Sequence, residues 1–510
     1  MSSSSTTTSP LFPVPDGFKL HTENNAQILM SENEAFLNPV QELNRFECRA
    51  RQKRASRAKE ESAKKRQRVN ESDAIDIEPE SLQPSESTSE IPQAGSKEDE
   101  KFSYKITILE ALSATGLRSI RYAKEIPLVK YHLANDLSSN AVAAMKRNVE
   151  LNGLGPSKEL EETGSAKQAN THLGKIRVNE GDACHRTDRV DVVDLDPYGT
   201  ATPFIDAAVQ TVKDESFLYI TCTDLSILAT NNYPEKCFSN YGGLPLKAEY
   251  NHEAAASTSV SRYGRYIKPL LSLSIDFYVR LFIRVNSSPY QVKKALTKTS
   301  SYFVCTSCQS FYEQPLEPGP TVGGKRPGCE SGLILPVQIA GSMWSGPIHN
   351  TDFVFKVLQH IKTFMERLVV CRELHTKFYF TPTKIAGFFH CQTPSLEETT
   401  SALLHAGHQV SRSHASPSSL KTTGTCEDVL DVFRFWVKKH PIKNVSETSP
   451  SLRLLAKEPR MEANFSKHPN SVTSSSKVKI VRYPETPANW GPGSRPVTGG
   501  SDKRKRKHDN

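Results

Sequence analysis

The sequence predicts an α/β fold in which a doubly wound parallel sheet is followed by a smaller α+β domain. The first observation is a strand pattern, a turn of small residues and an amphipathic helix over residues 106–126, with the sequence ITILEALSATGLRSIRYAKEI. Strand and helix patterns then alternate across residues 105–230, which is typical of a parallel sheet with helices on both faces. Finally, residues 378–414 alternate strands with a helix that has an apolar face, which indicates an α+β module.

Acidic residues stand at the ends of the predicted strands. The first four strands end at or near, in order, Glu110, Asp136, Asp182 and Asp196. Because the carboxyl ends of parallel strands lie at one edge of a sheet, we expect these side chains to face a common cleft. The turn from Ser113 to Gly116 lets a nucleotide-like ligand approach a helix N-terminus, and Asp136 is placed to accept two ribose hydroxyls. The alternative for Asp136 and Asp182 is that each caps a helix.

Composition excludes several classes of protein. The chain has 510 residues, 37% of them hydrophobic, and a mean hydropathy of -0.49, so part of it is expected to be disordered. It has no apolar run of about 18 residues, so we expect no membrane span. The first residues lack a basic and an apolar region, which excludes a secretory signal there. Ten cysteines indicate a reducing compartment, with a metal site as an option.

Charge and composition divide the chain further. We expect a flexible N-terminus at 1–28, and a charged disordered insertion at 49–100, where a basic run is followed by an acidic one. The predicted domains are 29–260 and 261–440, and the predicted disordered basic tail is 441–510. The second domain is expected to begin with a helix and then a strand, over RYGRYIKPLLSLSIDFYVRLFIRV.

Several motifs in the same order resemble one family. They are NPVQxxNR, EALSATGLRSIRYAKE, DVVDLDPYGTATPFIDAAV, ITCTDLSIL and HEAAASTSVSRYGRYIKPLLSLSIDFYVRLFIRV. Together they resemble the tRNA guanine-N2 dimethyltransferases, which use S-adenosylmethionine and act on guanine 26. The similarity covers about residues 30–48 and 104–440. It implies a Rossmann-like class I methyltransferase domain at 29–260, a tRNA-binding domain at 261–440, S-adenosylmethionine as cofactor and tRNA as partner.

Cofactor and catalytic residues follow from the motifs together with this resemblance. The expected cofactor-binding residues are Arg45, Ser113, Gly116, Arg118, Asp136, Asp182 and Ala183, with the two arginines assigned by resemblance alone. Arg118 has the alternatives of pairing with Glu125 or lying on an exposed face. The expected catalytic residues are Asp196, Pro197 and Tyr198. Asp196 and the Pro197 carbonyl would accept the N–H groups of a guanine amine, while Tyr198 stacks on the base; the alternative is a simple turn.

The second domain offers a metal site and an RNA-contacting segment. Cys305 and Cys308 have the spacing of a zinc knuckle, with Cys329 following. Zinc stays an open prediction, because Ser331 and Gly332 stand where the family pattern has its last cysteine. The segment at 411–422 resembles the tRNA-contacting segment of the family, which implies phosphate contacts by Arg412, His414 and Lys421. An ordinary polar loop is the alternative there.

Basic clusters and two rival functions complete the expectations. KKRQR at 64–68 and KRKRK at 503–507 favour the nucleus and the nuclear import machinery, with a mitochondrial pool left open. A monomer is expected. The rivals are a non-catalytic tRNA-binding or folding factor, and an amino-methyltransferase that acts on another nucleic acid or on protein.

Overall fold

The computed structural model describes parts of both predicted domains. It covers residues 14–31, 106–126, 129–156, 174–183, 189–228, 232–246, 264–275, 278–305, 307–316, 337–354, 373–416, 418–442 and 449–471. None of the helices in these segments combines the length and the apolar character needed to cross a membrane.

The first half of the chain builds a central sheet with helices on both sides. Its strands are β3 (Ile106–Glu110), β4 (Val129–Asp136), β5 (Ile176–Glu180), β6 (Val190–Leu195) and β7 (Val212–Cys222), preceded by a hairpin of β1 (Phe18–Glu23) and β2 (Ala26–Ser31). The helices between them are α1 (Leu117–Glu125), α2 (Ser139–Leu151) and α3 (Thr202–Thr211), and α4 (Leu225–Leu228) and α5 (Pro234–Tyr241) follow β7. The five strands pair in parallel in the order β5-β4-β3-β6-β7. This confirms the predicted α/β class.

Two antiparallel strands extend this sheet beyond the predicted domain boundary. They are β8 (Arg265–Ile275) and β9 (Tyr278–Ser287), and the full order is β5-β4-β3-β6-β7-β9-β8. The expected helix in this segment and the expected boundary at residue 260 are therefore wrong. The signal lay in the alternation from Leu271 to Ile275, which has the period of a strand. Pro269 argues against a strand, because proline has no N–H to donate. It lies at a bulge on the edge strand, where the missing N–H costs no hydrogen bond between strands.

The core lies on both faces of the sheet because its central strands bury apolar side chains on both sides. All six residues of β6 are buried, as expected for a strand covered on both sides. Val192 packs on one face with Tyr122 of α1, whereas Val193 packs on the other face with Val209 of α3. The sheet is thus held rigidly between two layers, and its strand ends are fixed in position.

The N-terminal hairpin corrects the expectation of a flexible segment at 1–28, at least from residue 14 onward. Ala26 and Ile28 are buried in a cluster with residues of α1 and α2. The Leu29 N–H donates to Asn148 Oδ1 at 2.9 Å, which ties the hairpin to α2. Residues 1–13, Arg45 and the charged insertion at 49–100 lie outside the described residues.

The described residues after β9 form a three-stranded sheet and a helical module. The sheet contains β10 (Thr299–Cys305), β11 (Phe311–Pro315) and β12 (Val337–Trp344), after a short helix α6 (Pro289–Lys293) and a 3₁₀ turn (Lys294–Lys298). The module contains α7 (Pro382–Phe389), α8 (Leu396–His405), β13 (Val410–Arg412), β14 (Leu420–Thr422), α9 (Cys426–Lys439) and α10 (Pro450–Leu455). Phe389, Leu403 and Phe433 are fully buried between its helices.

The beginning of the predicted disordered tail belongs to this module. Leu454 and Ala463 are buried in its core. The Leu454 carbonyl accepts a hydrogen bond from Arg434 Nε at 2.8 Å, and the Arg460 N–H donates to Asp431 at 2.9 Å. The expectation of disorder from residue 441 is therefore wrong for 449–471, where scattered apolar residues pack against α9. Residues 472–510 lie outside the described residues.

Candidate active site

The strand register brings the predicted site residues to one edge of the sheet. Glu110 of β3 is opposite Ala134 of β4 and Asp194 of β6. Asp136 ends β4 opposite Glu180, the last residue of β5. The chain segments that follow these strands, including Asp182 and Asp196, therefore leave the sheet at the same edge.

The turn between β3 and α1 brings its backbone close to its neighbours. The Ser113 N–H donates to the Asn135 carbonyl at 2.8 Å, and the Ala114 N–H donates to Asp136 Oδ2 at 2.9 Å. Ala114 and Gly116 have φ angles of 47° and 75°, in the left-handed region. A Cβ on Gly116 would lie 3.2 Å from Met145 Cγ, tighter than ordinary contact. The conformation and packing of the turn thus favour glycine at position 116.

Asp136 is held at the cleft and keeps room for a ligand. Its two carboxylate oxygens accept the N–H groups of Ala114 and Ser138, at 2.9 and 3.0 Å. Each carboxylate oxygen can accept a further bond, so ribose hydroxyls can still be bound. The N-cap of α2 is Ser138, whose Oγ accepts from the Ala141 N–H, so Asp136 does not serve as the cap. Asp182 is exposed just beyond β5.

A buried charge network positions Asp196. Arg118 contacts the Asp196 carboxylate through Nη2 and lies 3.3 Å from Asp194 through Nη1. Asp194 is fully buried and also accepts two bonds from Arg280, at 2.8 and 3.0 Å. The hydroxyl of Tyr122 donates to the same carboxylate at 2.9 Å. Two arginines thus bind one structural carboxylate, and one of them also fixes the candidate catalytic carboxylate.

The pKa values of two carboxyl groups in this network, Asp196 and Glu110, are shifted in opposite directions. Burial by itself would raise the pKa of Asp196, but the guanidinium groups of Arg118 and Arg280 outweigh it and lower the pKa below its usual value. Burial raises the pKa of Glu110 to about 7, against the opposing attraction of Arg118. Glu110 accepts a hydrogen bond from Ser119 at 2.6 Å and lies beneath α1. At neutral pH Asp196 is therefore ionised, whereas Glu110 titrates inside the protein and does not line the cleft.

The turn after β6 presents the other two predicted catalytic residues. Pro197 is buried and Tyr198 is 83% exposed. The Gly199 N–H donates to Thr223 Oγ1 at 2.8 Å, and the Thr223 N–H returns a bond to the Gly199 carbonyl at 3.1 Å. The turn is thereby fixed to the end of β7, and the aromatic ring of Tyr198 projects from the same edge as Asp196.

Sequence reasoning placed Arg118 in the cofactor pocket and missed its carboxylate partners. Arg118 is only 5% exposed, so it does not lie on an exposed face, and Glu125 pairs instead with Arg121. Its position makes it a support for Asp196. Arg280 could have been suspected, because it is a charge within the apolar run DFYVRLFIRV. Asp194 had the weaker signal of an acid within a buried strand.

The same fold and sequence pattern occur in known tRNA-modifying enzymes. The sequence model of the family described as N2,N2-dimethylguanosine tRNA methyltransferase matches residues 17–434. The chain belongs to this family. The tRNA (guanine(26)-N(2))-dimethyltransferase of Schizosaccharomyces pombe is 39% identical over 93% of this chain and 92% of its own length. The mouse enzyme of the same description is also 39% identical, over 78% of this chain and 63% of its own length.

A solved structure supports the fold of this dimethyltransferase family. Trm1 from Pyrococcus horikoshii, in complex with S-adenosyl-L-methionine, superposes with a TM-score of 0.60 over 81% of this chain and 99% of that chain, at 23% identity. The predicted Rossmann-like fold is thereby confirmed. The residues of this dimethyltransferase also fit S-adenosylmethionine: Asp136 retains acceptor capacity for the ribose, and the left-handed φ of Gly116 favours glycine in the turn beside it.

The segment expected to contact tRNA has two of its three basic residues inside the protein. Lys421 is 1% exposed and its Nζ lies 3.2 Å from Glu373 Oε1. His414 Nδ1 donates to the other Glu373 oxygen at 2.7 Å, while its Nε2 accepts from the Ser274 N–H at 3.1 Å. The expectation that Lys421 and His414 contact phosphates is therefore wrong, because both are bound to a buried carboxylate. Arg412 is half-buried and stays a prediction.

The predicted zinc site is only partly within the described residues. Cys305 and Cys308 are both buried, and the Cys308 N–H donates to Cys305 Sγ at 3.5 Å. Cys329 lies outside the described residues. Within the described segments, one trio of His, Cys, Asp or Glu side chains has its ligand atoms within 4.8 Å of one another, namely His349, Glu373 and His414. It contains no cysteine, so zinc binding stays a prediction.

Proposed function

We propose that this chain transfers methyl groups from S-adenosylmethionine to the exocyclic N2 amine of guanine 26 in tRNA, giving N2,N2-dimethylguanosine. The observation that carries the proposal is an ionised Asp196, held by Arg118 at the strand edge that also carries Asp136. Family membership supports the choice of substrate and donor.

The chemistry requires activation of a weak nucleophile. The lone pair of the guanine amine is delocalised into the ring, so nitrogen must rehybridise before it attacks. Asp196 accepts an amine N–H and stabilises the positive charge that develops on nitrogen. Bound S-adenosylmethionine supplies an electrophilic methyl group on a sulfonium centre. The proton left on nitrogen after methyl transfer passes to Asp196 or to water, since the alkylated exocyclic ammonium on guanine is far more acidic than a carboxylic acid.

Alignment of the base with the methyl donor provides the rest of the rate enhancement. Pro197 lacks an N–H and fixes φ, so its carbonyl is available as a second acceptor for the amine. Tyr198 is exposed enough to stack on a base that has left its helix. Holding the amine in line with the methyl group and its leaving sulfur converts a bimolecular reaction into an effectively unimolecular one. Two successive transfers require that the monomethylated amine still presents one N–H to Asp196.

The test is incubation of the purified protein with labelled S-adenosylmethionine and unmodified tRNA transcripts, followed by nucleoside analysis. Label in N2,N2-dimethylguanosine supports the proposal, and a transcript with adenine at position 26 gives the matched control without label. Label in adenine or in protein supports a different amino-methyltransferase. Binding of tRNA without any label supports a non-catalytic tRNA-binding factor. Asp196→Asn keeps the size of the side chain, and we expect it to abolish labelling while the protein still binds tRNA.

We retain three finer proposals alongside this one. Zinc would be held by Cys305, Cys308 and Cys329, and metal analysis of the purified parent protein and of Cys305→Ser tests this.

The basic clusters at 64–68 and 503–507 would direct the protein to the nucleus. A relative from Saccharomyces cerevisiae is described as mitochondrial. Imaging of a tagged chain, with and without each cluster, should therefore score both the nucleus and the mitochondria. Arg412 would contact tRNA phosphate.

A further inference from the structure

A groove with a volume of about 460 Å³ lies at the β8 edge of the central sheet, remote from Asp196. Its lining contains three cations, Lys268, Arg284 and Lys298, and one carboxylate, Asp352, with His349 and Asn350 as further polar groups. Its walls include the aromatic side chains of Phe217, Tyr266 and Trp344. Phe217 lies five residues before the end of β7, which places the groove about 17 Å from the catalytic edge along that strand.

The register of the edge hairpin places two of these cations against each other. Lys268 of β8 is directly opposite Arg284 of β9, so both side chains lie on the same face of the sheet. Like charges at opposed positions of an antiparallel pair destabilise it. This unfavourable arrangement becomes favourable once an anion lies between the two groups.

Carboxylates compensate the cations of the groove only in part. In the described part of the chain, none of Lys268, Arg284 and Lys298 forms an ion pair within 4.0 Å. Burial lowers the pKa of Arg284, and Glu215 compensates only in part. The Arg284 guanidinium instead lies 5.1 Å from the centre of the Phe217 ring. A half-buried guanidinium of this kind gains more than an exposed one from a bound anion.

Aromatic groups hold the third cation in place. Lys298 Nζ donates to the Tyr266 hydroxyl at 2.8 Å and lies 5.6 Å from the centre of the Trp344 ring. The ammonium group is thereby directed along the wall of the groove. Cations interleaved with aromatic rings are the usual surface for a sugar-phosphate backbone with unstacked bases.

We propose that this groove binds the phosphate backbone of tRNA, at a position separate from the target nucleotide. The proposal rests on the proposed function for the identity of the nucleic acid. It adds a second contact surface, and it replaces the buried Lys421 and His414 as the basic residues that hold the substrate. Binding at both the groove and the catalytic edge would fix the orientation of tRNA relative to Asp196.

The first test uses Lys268→Ala, because Lys268 is exposed and its truncation disturbs no packing. We measure the Kd for an unmodified tRNA transcript at several salt concentrations. Loss of one phosphate contact is expected to weaken binding by about three- to tenfold and to reduce the slope of log K against log salt by about one. Arg284→Gln is expected to act in the same direction. The matched control is Lys130→Ala, which removes an exposed lysine on β4, five strand positions from β8.

Stability provides the readout that separates binding from a structural role. Removing Lys268 relieves the opposition to Arg284, so its variant should melt at the same temperature as the parent protein or higher while binding tRNA more weakly. If Lys268 had a purely structural role, its removal would lower both the melting temperature and the affinity for tRNA. Quenching of Trp344 fluorescence on addition of tRNA, absent in Trp344→Phe, gives a direct signal from the groove.

The proposal is overturned if Lys268→Ala and Arg284→Gln retain the parent affinity and salt dependence. It is also overturned if the control Lys130→Ala weakens binding equally, because the effect would then be one of net charge alone. The two proposals fail separately. A parent protein that binds tRNA through the groove but forms no dimethylguanosine contradicts the catalytic proposal only.

Discussion

Replacing Arg118 tests whether the buried network positions the catalytic carboxylate. Arg118 joins Asp194 and Asp196 across the end of the sheet. Arg118→Met keeps much of the apolar length of the side chain but removes the charge-assisted hydrogen bond to Asp196. Such a bond contributes about 1.5 to 3 kcal/mol. If that energy acts on the transition state, the single-turnover rate at neutral pH falls by about 10- to 150-fold.

The pH profile distinguishes positioning from general damage. In the parent protein the two arginines keep the pKa of Asp196 below its usual value, so Asp196 stays ionised through neutral and mildly acidic pH. Without Arg118 the largest effect that opposes burial is lost, so the pKa of Asp196 rises although Arg280 still lowers it. The rate of the variant should therefore fall as the pH is lowered through a range in which the parent rate shows no contribution from Asp196.

A matched control lies one turn further along α1. Arg121 is 1% exposed and binds Glu23 and Glu125, away from the strand ends. Both Arg118→Met and Arg121→Met are expected to lower the free energy of unfolding, by about 3 to 5 kcal/mol for a broken buried pair. The rate is followed by quench-flow with nucleoside analysis, on samples shown to be folded by circular dichroism. Equal rates and superimposable pH profiles for the two variants would refute the positioning role.

Three further predictions concern other groups. Glu110→Gln should increase stability at pH 8 but not at pH 4. The pKa of Glu110 is raised from 4.5 to about 7, so the parent protein loses stability as the pH rises between those values, by about 3 kcal/mol. Equal melting temperatures of the parent and the variant at pH 8 would contradict this. Asp136→Asn should weaken binding of S-adenosylmethionine by about tenfold in calorimetry, with the Kd for tRNA unchanged. Lys421→Met should lower the free energy of unfolding by about 3 kcal/mol, since it leaves Glu373 without its buried ammonium partner, and should leave the salt dependence of tRNA binding unaltered.

Local patterns were enough to predict the parallel part of the fold and its functional edge. The turn from Ser113 to Gly116 and the ends of β4 and β6 each carry their own signal within about ten residues. The same rules put Asp136 at the cleft, and the structure shows why Ser138 caps the following helix. Parallel topology then brings such ends together without any knowledge of side-chain contacts. This is why residues far apart in sequence could be assigned to one cleft.

The failures share a different physical origin. Arg118 and Asp196 are 78 residues apart, and Arg280 and Asp194 are 86 apart. No local pattern reports which carboxylate a long basic side chain reaches. Lys421 was expected to contact tRNA phosphate because its segment resembles the tRNA-contacting segment of the family, and lysine is rarely buried. It is buried because Glu373, 48 positions earlier, supplies a charge that is itself inaccessible to water.

The edge hairpin connects the two kinds of result. β9 was assigned to a separate domain, yet its Arg280 completes the network behind Asp196 and its Arg284 lines the basic groove. Both side chains, with Phe282 between them, lie on one face of the same strand because they are separated by even numbers of residues. One strand therefore supports the proposed chemistry at its beginning and the proposed tRNA contact further along. Its antiparallel direction places Arg280 near the catalytic edge and Arg284 four residues further from it, so the proposed phosphate contact lies away from Asp196 along the same strand.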